Sequence, residues 1–281
     1  MTLGLTIPAL DGRPLGATLF PAATDTGSVV VINPGLGLRA SLYHPLAAYL
    51  AAAGHTVLTY DYRGMGASAG ERVEASFVDW ARHDCGGALR YAVDELKAHR
   101  LSVVAHSTGG AFLGFSPLAE RLDRIVCVAT QMGYWRLWPG ARKAFMWTLA
   151  KVVIPTMLAT AGYVPGRRMG WGDDIPAGFA RDWCRWLDHP DYFFGFPQET
   201  GELAFDRITA SMLWYSFSDD NYYAPKAAVD AFPPHLPNAS IQRRHLAPGD
   251  LGRQKLGHLG LFSRKSADDL WPEVAAFLSA P

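Results

Sequence analysis

The sequence predicts an α/β protein built on a mostly parallel, doubly wound sheet. Short apolar runs rich in β-branched residues, at 28–33, 55–60, 101–105, 123–130, 212–217 and 241–246, alternate with stretches whose apolar positions recur at helical spacing. The run at 28–33 is apolar without a break from Val29 to Ile32, as a strand covered on both faces requires. With 281 residues, 49% of them hydrophobic and 19% charged, the chain carries enough apolar surface to bury such a sheet between helices.

Taken in order, residues 3–20 hold two short runs split by Asp11-Gly12-Arg13-Pro14, the pattern of an antiparallel pair joined by a turn. SVVVIN at 28–33 follows, ending in Pro34-Gly35-Leu36-Gly37. Leu42, Leu46, Tyr49, Leu50 and Ala53 mark a helix that Gly54 stops. The strand at 55–60 runs into DYRGMGAS, which lacks the third glycine of a dinucleotide fingerprint and reads as a turn. Phe77, Trp80, Ala81, Ala88, Tyr91, Ala92 and Leu96 define one face of a long helix. Two further strands follow, 101–105 and 123–130.

Residues 131–206 break the alternation. They contain Trp135, Trp138, Trp147, Trp171, Trp183 and Trp186 with many phenylalanines and prolines, and read as an aromatic-rich helical cap inserted after the sixth strand. Residues 1–130 and 207–281 are then the core. Most of the tryptophans are expected to fill the cap's own interior. Beyond the cap the sequence predicts strands at 212–217 and 241–246 and helices at 224–232 and 268–279.

Composition removes several function classes. With 26 basic and 26 acidic residues the formal net charge is zero, which disfavours nucleic acid as a partner. Cys85, Cys127 and Cys184 have no metal-ligand spacing, so neither a metal nor another cofactor is expected. Their odd number and the lack of a signal-like N-terminus suit a reducing, cytoplasmic location. Residues 144–164 are apolar but interrupted by Lys151 and Pro155, which fits a lid helix or interfacial contact and not an integral membrane span.

The chemistry gathers at LSVVAHSTGG, residues 101–110. A strand that stops at a serine followed by small residues matches the elbow pattern G-x-S-x-G, in which a tight turn lifts the hydroxyl above the sheet. Ala105 replaces the first glycine with the smallest possible side chain. Serine is a weak nucleophile and needs a general base, which in turn needs an orienting acid. On sheets of this kind the order along the chain is serine, acid, histidine. Of nine histidines, those before the serine, His106 beside it and His189 in the cap are set aside by position. His235 lies in a proline-rich loop and His245 in a predicted strand. His258, in the glycine-flanked loop LGHLGLF, is the candidate base. SFSDD at 216–220 ends a strand and supplies the acid, Asp220 ahead of Asp219, with the other carboxylate expected to cap the following turn. The backbone N–H groups of Leu36 and Thr108 are the candidate oxyanion donors.

With these residues in place the chain resembles the α/β-hydrolase superfamily over nearly its whole length. DYRGMGAS, AHSTGG, GYWRLWPG, GYVPGRRMGWGDDIPAGFARDWCRW, SFSDD and LGHLGLF resemble a bacterial subgroup allied to serine aminopeptidase-like and monoglyceride lipase-like hydrolases. The resemblance implies hydrolase chemistry through Ser107, Asp220 and His258. The expected activity is hydrolysis of a small carboxylic ester with an apolar acyl or alkyl group, through an acyl-enzyme. Thioester hydrolysis, peptide hydrolysis and acyl transfer use the same triad, and Arg167 and Arg168 would suit an anionic substrate end. A non-catalytic receptor using the capped pocket is the alternative from another class.

Overall fold

In β3 (Ser28–Asn33) Val29 and Val31 face one side of the sheet and Val30 and Ile32 the other, and all four are buried. This alternation divides the interior into two apolar layers. The protein is described from a computed structural model, over residues 2–24, 26–70 and 74–280. The other strands are β1 (Leu3–Pro8), β2 (Pro14–Phe20), β4 (Thr56–Tyr60), β5 (Arg100–His106), β6 (Leu122–Val128), β7 (Ser211–Phe217) and β8 (Ser240–Leu246). They form one sheet in the order β1-β2-β4-β3-β5-β6-β7-β8. β1 pairs with β2 and β2 with β4 antiparallel, while every pairing from β4 through β8 is parallel.

On the Val30 side lie α1 (His44–Ala52), with Leu46, Ala47 and Leu50 inward, and the last helix of the chain, Leu270–Ser279. The Val29 side takes α2 (Gly86–Asp94), α3 (Thr108–Ala111) and the helices between β6 and β7. Those are α4 (Arg142–Thr148), α5 (Ile154–Ala161), α6 (Gly166–Met169), α7 (Ala177–Trp186) and α8 (Pro197–Thr200). α9 (Lys226–Asp230) and α10 (Leu270–Ser279) complete the set. The chain thus has the α/β-hydrolase architecture, with a mostly parallel sheet and helices on both faces.

Two elements differ from the sequence expectation. The helix expected across Phe77 to Leu96 contains a widened π segment, Asp79–Cys85, before α2, and α2 itself ends at Asp94. The helix expected over 224–232 is only α9, because Pro225 fixes its start. After Ser107 the helix lasts one turn before tightening at Leu113–Phe115. Gly109 and Gly110 are poor helix formers. Close packing selects the second of them, since a Cβ there would lie 2.1 Å from Thr130 Oγ1.

The aromatic residues between β6 and β7 do not form a self-contained interior. Phe179 packs on Trp80 and Phe77 at ring separations of 4.6 and 5.1 Å, and Trp186 meets Phe77 at 5.0 Å. Trp138 and Trp186 are buried, whereas Trp147 and Trp171 are exposed. Residues 142–161, running through α4, a π segment at Leu149–Val153 and α5, make a helix long and apolar enough to cross a membrane by length and composition, with only 17% of its apolar window buried.

Asp173 ties this segment to the sheet. Its carboxylate takes the guanidiniums of Arg39 and Arg167 and the Gly66 N–H, and its own N–H donates to the Gly37 carbonyl at 2.7 Å. Burial opposes its charge most strongly of any single influence, but the hydrogen bonds from Arg39, the Gly66 N–H and Arg167, with the charge of Arg39, together hold the carboxyl below its ordinary value.

Candidate active site

The parallel strands end together at one sheet edge, because Asn33 is in register with Ala105 and Ala105 with Cys127. Loops leaving that edge carry the candidate residues, as expected for an open α/β sheet. At the end of β5, Ser107 has φ 52° and ψ −120°, a conformation that costs a non-glycine residue about 1–3 kcal/mol. Its N–H donates to the Val128 carbonyl at 2.8 Å, so the turn is anchored to the neighbouring strand. The small residues after it serve this anchoring. A Cβ on Gly109 would lie 2.6 Å from the Asn33 carbonyl oxygen and 2.7 Å from that of Pro34. Thr108 opens α3, at the positive end of its first turn.

β7 delivers the two carboxylates to the same edge. Asp220, almost fully buried, accepts from His258 Nδ1 at 2.6 Å. That bond fixes which imidazole nitrogen is left to face other groups. Asp220 also accepts the Tyr223 N–H through its other oxygen. Asp219 does not cap the following turn, contrary to expectation. It accepts the backbone N–H groups of Leu256 and Gly257 at 2.9 and 3.0 Å, and so braces the loop that carries His258. The two neighbouring aspartates meet different partners across the turn that follows β7, which closes by an Asp220 N–H to Phe217 carbonyl bond of 3.1 Å.

Asp220 and His258 are therefore in direct contact, and Ser107 is connected to them through its neighbour His106. The His106 ring lies 4.6 Å from the His258 ring, and its Nε2–H donates to the His258 carbonyl at 3.1 Å. Since that nitrogen carries the proton, Nδ1 is the acceptor and takes the hydroxyl of Tyr43 at 2.8 Å. Burial first, and then the proximity of His258, hold the His106 imidazole well below the ordinary histidine range. Leu36 sits in the turn after β3, which closes by a Leu38 N–H to Gly35 carbonyl bond of 3.1 Å. The Gly35 N–H donates to the Tyr43 hydroxyl.

Neither Tyr43 nor His106 stands among the sequence candidates. Tyr43 lies at the start of a helix with no motif to mark it, and His106 is adjacent to the serine and hence excluded as its base. An exposed aromatic rim adjoins the site: Tyr223 faces His258 at 5.0 Å, and Phe145 of α4 meets Tyr222 at 6.0 Å. Arg167, offered by the sequence as an anion contact, is paired with Asp173. Among the described residues no cluster of histidine, cysteine, aspartate and glutamate is arranged to hold a metal. Two hollows, of 240 Å³ beside Arg39, His44 and Asp61 and of 530 Å³ beside Leu158, Arg181 and Arg185, are lined by residues other than Ser107, Asp220 and His258.

Comparison with known proteins agrees with this architecture. None of the curated proteins compared with the chain matches it significantly. Among solved structures, the esterase EaEST from Exiguobacterium antarcticum superposes with a TM-score of 0.63 at 16% identity, covering 99% of this chain and 100% of the other. The monoacylglycerol lipase of Paleococcus ferrophilus gives 0.62 at 17% identity, covering 94% and 98%. A bromoperoxidase from Bacillus anthracis gives 0.56 at 15% identity, covering 99% and 100%. At such identities these likenesses establish a shared fold, which hosts more than one chemistry. The family model described as serine aminopeptidase, S33, matches residues 24–169, just over half of the sequence. The chain belongs to the serine aminopeptidase S33 family of α/β hydrolases.

Proposed function

We propose that the protein is a serine hydrolase that cleaves a small carboxylic ester through an acyl-enzyme. Ser107 attacks the carbonyl, His258 takes its proton and returns it to the leaving alcohol, and Asp220 holds His258 in the required tautomer. The backbone N–H groups of Leu36 and Thr108 receive the oxyanion. Water, activated by His258, then releases the acid. Residues 131–206 act as the cap over this site.

The observation that carries the proposal is the conjunction of a strained serine at the end of β5 with a buried carboxylate bonded to an imidazole at the same sheet edge. Strain of this kind is retained where it serves a function. The aromatic rim of Tyr222, Tyr223 and Phe145 favours an apolar acyl or alkyl group.

A fluorophosphonate probe and a series of p-nitrophenyl esters test this. Wild type is expected to take the label and turn over esters, and Ser107→Ala to do neither. Absence of both in wild type overturns the proposal. The family description favours a second reading, aminopeptidase activity, so aminoacyl p-nitroanilides belong in the same assay. Turnover of those amides with no turnover of esters would replace the ester reading by the peptidase one.

A further inference from the structure

His106, Tyr43 and Gly35 join three loops that depart from different strands. The Gly35 N–H donates to the Tyr43 hydroxyl at 2.8 Å. Tyr43 donates to His106 Nδ1 at 2.8 Å, and His106 Nε2–H donates to the His258 carbonyl at 3.1 Å. All the donors and acceptors in this chain point one way, so a single tautomer of His106 satisfies every bond. The ring is also held by packing. Phe262 lies 4.7 Å from both the Tyr43 and the His106 rings, and a Cβ on Gly35 would meet His106 Nδ1 at 2.9 Å. Tyr43 and His106 are fully buried, and burial keeps both neutral, raising the tyrosine and lowering the histidine.

We infer that Tyr43 and His106 form a positioning relay that sets the Leu36 N–H, Ser107 and His258 at fixed mutual distances for the reaction. The inference rests on the proposed role of Ser107 and His258. The relay touches no substrate. It fixes the turn that presents Leu36 through Gly35, the elbow through the residue before Ser107, and the base through the carbonyl of His258 itself. A buried hydroxyl bonded on both sides is costly to lose, because removal leaves an N–H and an imidazole nitrogen without partners.

The test compares Tyr43→Phe, His106→Gln and His106→Leu for ester turnover and for the rate of fluorophosphonate labelling, with thermal melting as a control of folding. Tyr43→Phe keeps the ring against Phe262 and removes one atom. His106→Gln keeps an N–H donor for the His258 carbonyl, and His106→Leu removes it. Misplacement of reacting groups predicts that kcat and labelling fall about tenfold to a hundredfold in Tyr43→Phe and His106→Leu, with KM little changed. His106→Gln should recover part of that loss. Wild-type kcat in Tyr43→Phe, or equal rates in His106→Gln and His106→Leu, overturns the relay while leaving Ser107 as the nucleophile. Failure of wild type to take the label overturns the nucleophile, and the relay with it.

Discussion

At the scale of single residues, the two adjacent aspartates should behave differently when changed. Asp220 is bonded to the imidazole that becomes a cation in the proposed reaction, whereas Asp219 is bonded to two backbone amides. Asp220→Asn is expected to lower kcat by about 10³–10⁴-fold, because the amide no longer selects the tautomer or stabilises the cation. Asp219→Asn should act chiefly on stability and on the placement of residues 256–258. The expected result is a lower melting temperature with a loss of kcat at least tenfold smaller, roughly 1.4 kcal/mol less in barrier. Steady-state kinetics and thermal melting on the pair check this, and equal kcat losses would contradict it.

Residues also differ in how far the sequence reveals them. Ser107 stands out because an elbow demands small neighbours in consecutive positions, and the Asp219-Asp220 pair and His258 stand out because they follow it in the expected order at strand ends. Which aspartate meets the imidazole depends on the direction of side chains where a strand gives way to a turn. Tyr43 and Asp173 carry no local signature at all. Their partners lie far along the chain, Tyr43 with His106 and Asp173 with Arg39, and only the folded sheet brings them together.

At the scale of elements, the strand–elbow–helix unit depends on close approach of backbone to backbone. Gly109→Ala would press a methyl group against the carbonyls of Asn33 and Pro34, neither of which can rotate away. Overpacking of this kind costs about 1–3 kcal/mol. The same shift would separate α3 from the Leu36 turn, so ester turnover should fall together with the melting temperature. A variant as stable and active as wild type would contradict the need for this close approach.

Elements were legible in the sequence where one period dominated. The parallel strands are short, apolar and β-branched, and each was placed within one or two residues. The π segment at Asp79–Cys85 was not, since a run of apolar residues at helical spacing does not distinguish four-residue from five-residue hydrogen bonding. The aromatic stretch between β6 and β7 was recognised by its break in alternation. Its packing against Phe77 and Trp80 was not, because hydrophobicity names no partner.

At the scale of the whole molecule, ionisable groups set the pH range in which the fold holds. His44, His55, His106, His235 and His245 are all shifted below the ordinary histidine value, in each case first by burial. In the unfolded chain each takes up a proton near pH ~6.5. The folded protein withholds those sites, so the unfolded state binds more protons and stability falls as pH drops through that range. Asp84 acts in the opposite sense. Burial, against the pull of Arg63, pushes its carboxyl up to about 6, so below that pH the fold binds this proton more readily than the unfolded chain does. Burial raises Asp61 and Asp182 in the same sense, and these three carboxyls against five histidines still leave a net loss of stability. Melting temperature measured from pH 8 to pH 5 should therefore decline below pH ~6.5, and a profile that stays flat or rises contradicts this account.

The attachment of the segment between β6 and β7 is likewise a property of the assembled molecule. Asp173→Asn keeps the shape but removes the charge that holds Arg39 and Arg167. Limited proteolysis should then cut within residues 131–206 faster than in wild type, and an unchanged rate would assign the attachment to the aromatic contacts alone.

The claim on which the chemistry depends is that the hydroxyl at the strained end of β5 is the nucleophile. Peptide mass mapping after treatment with a fluorophosphonate tests it most directly. One adduct located on Ser107, and its loss in His258→Ala, is the predicted result; an adduct on another residue, or continued ester turnover by Ser107→Ala, would contradict it.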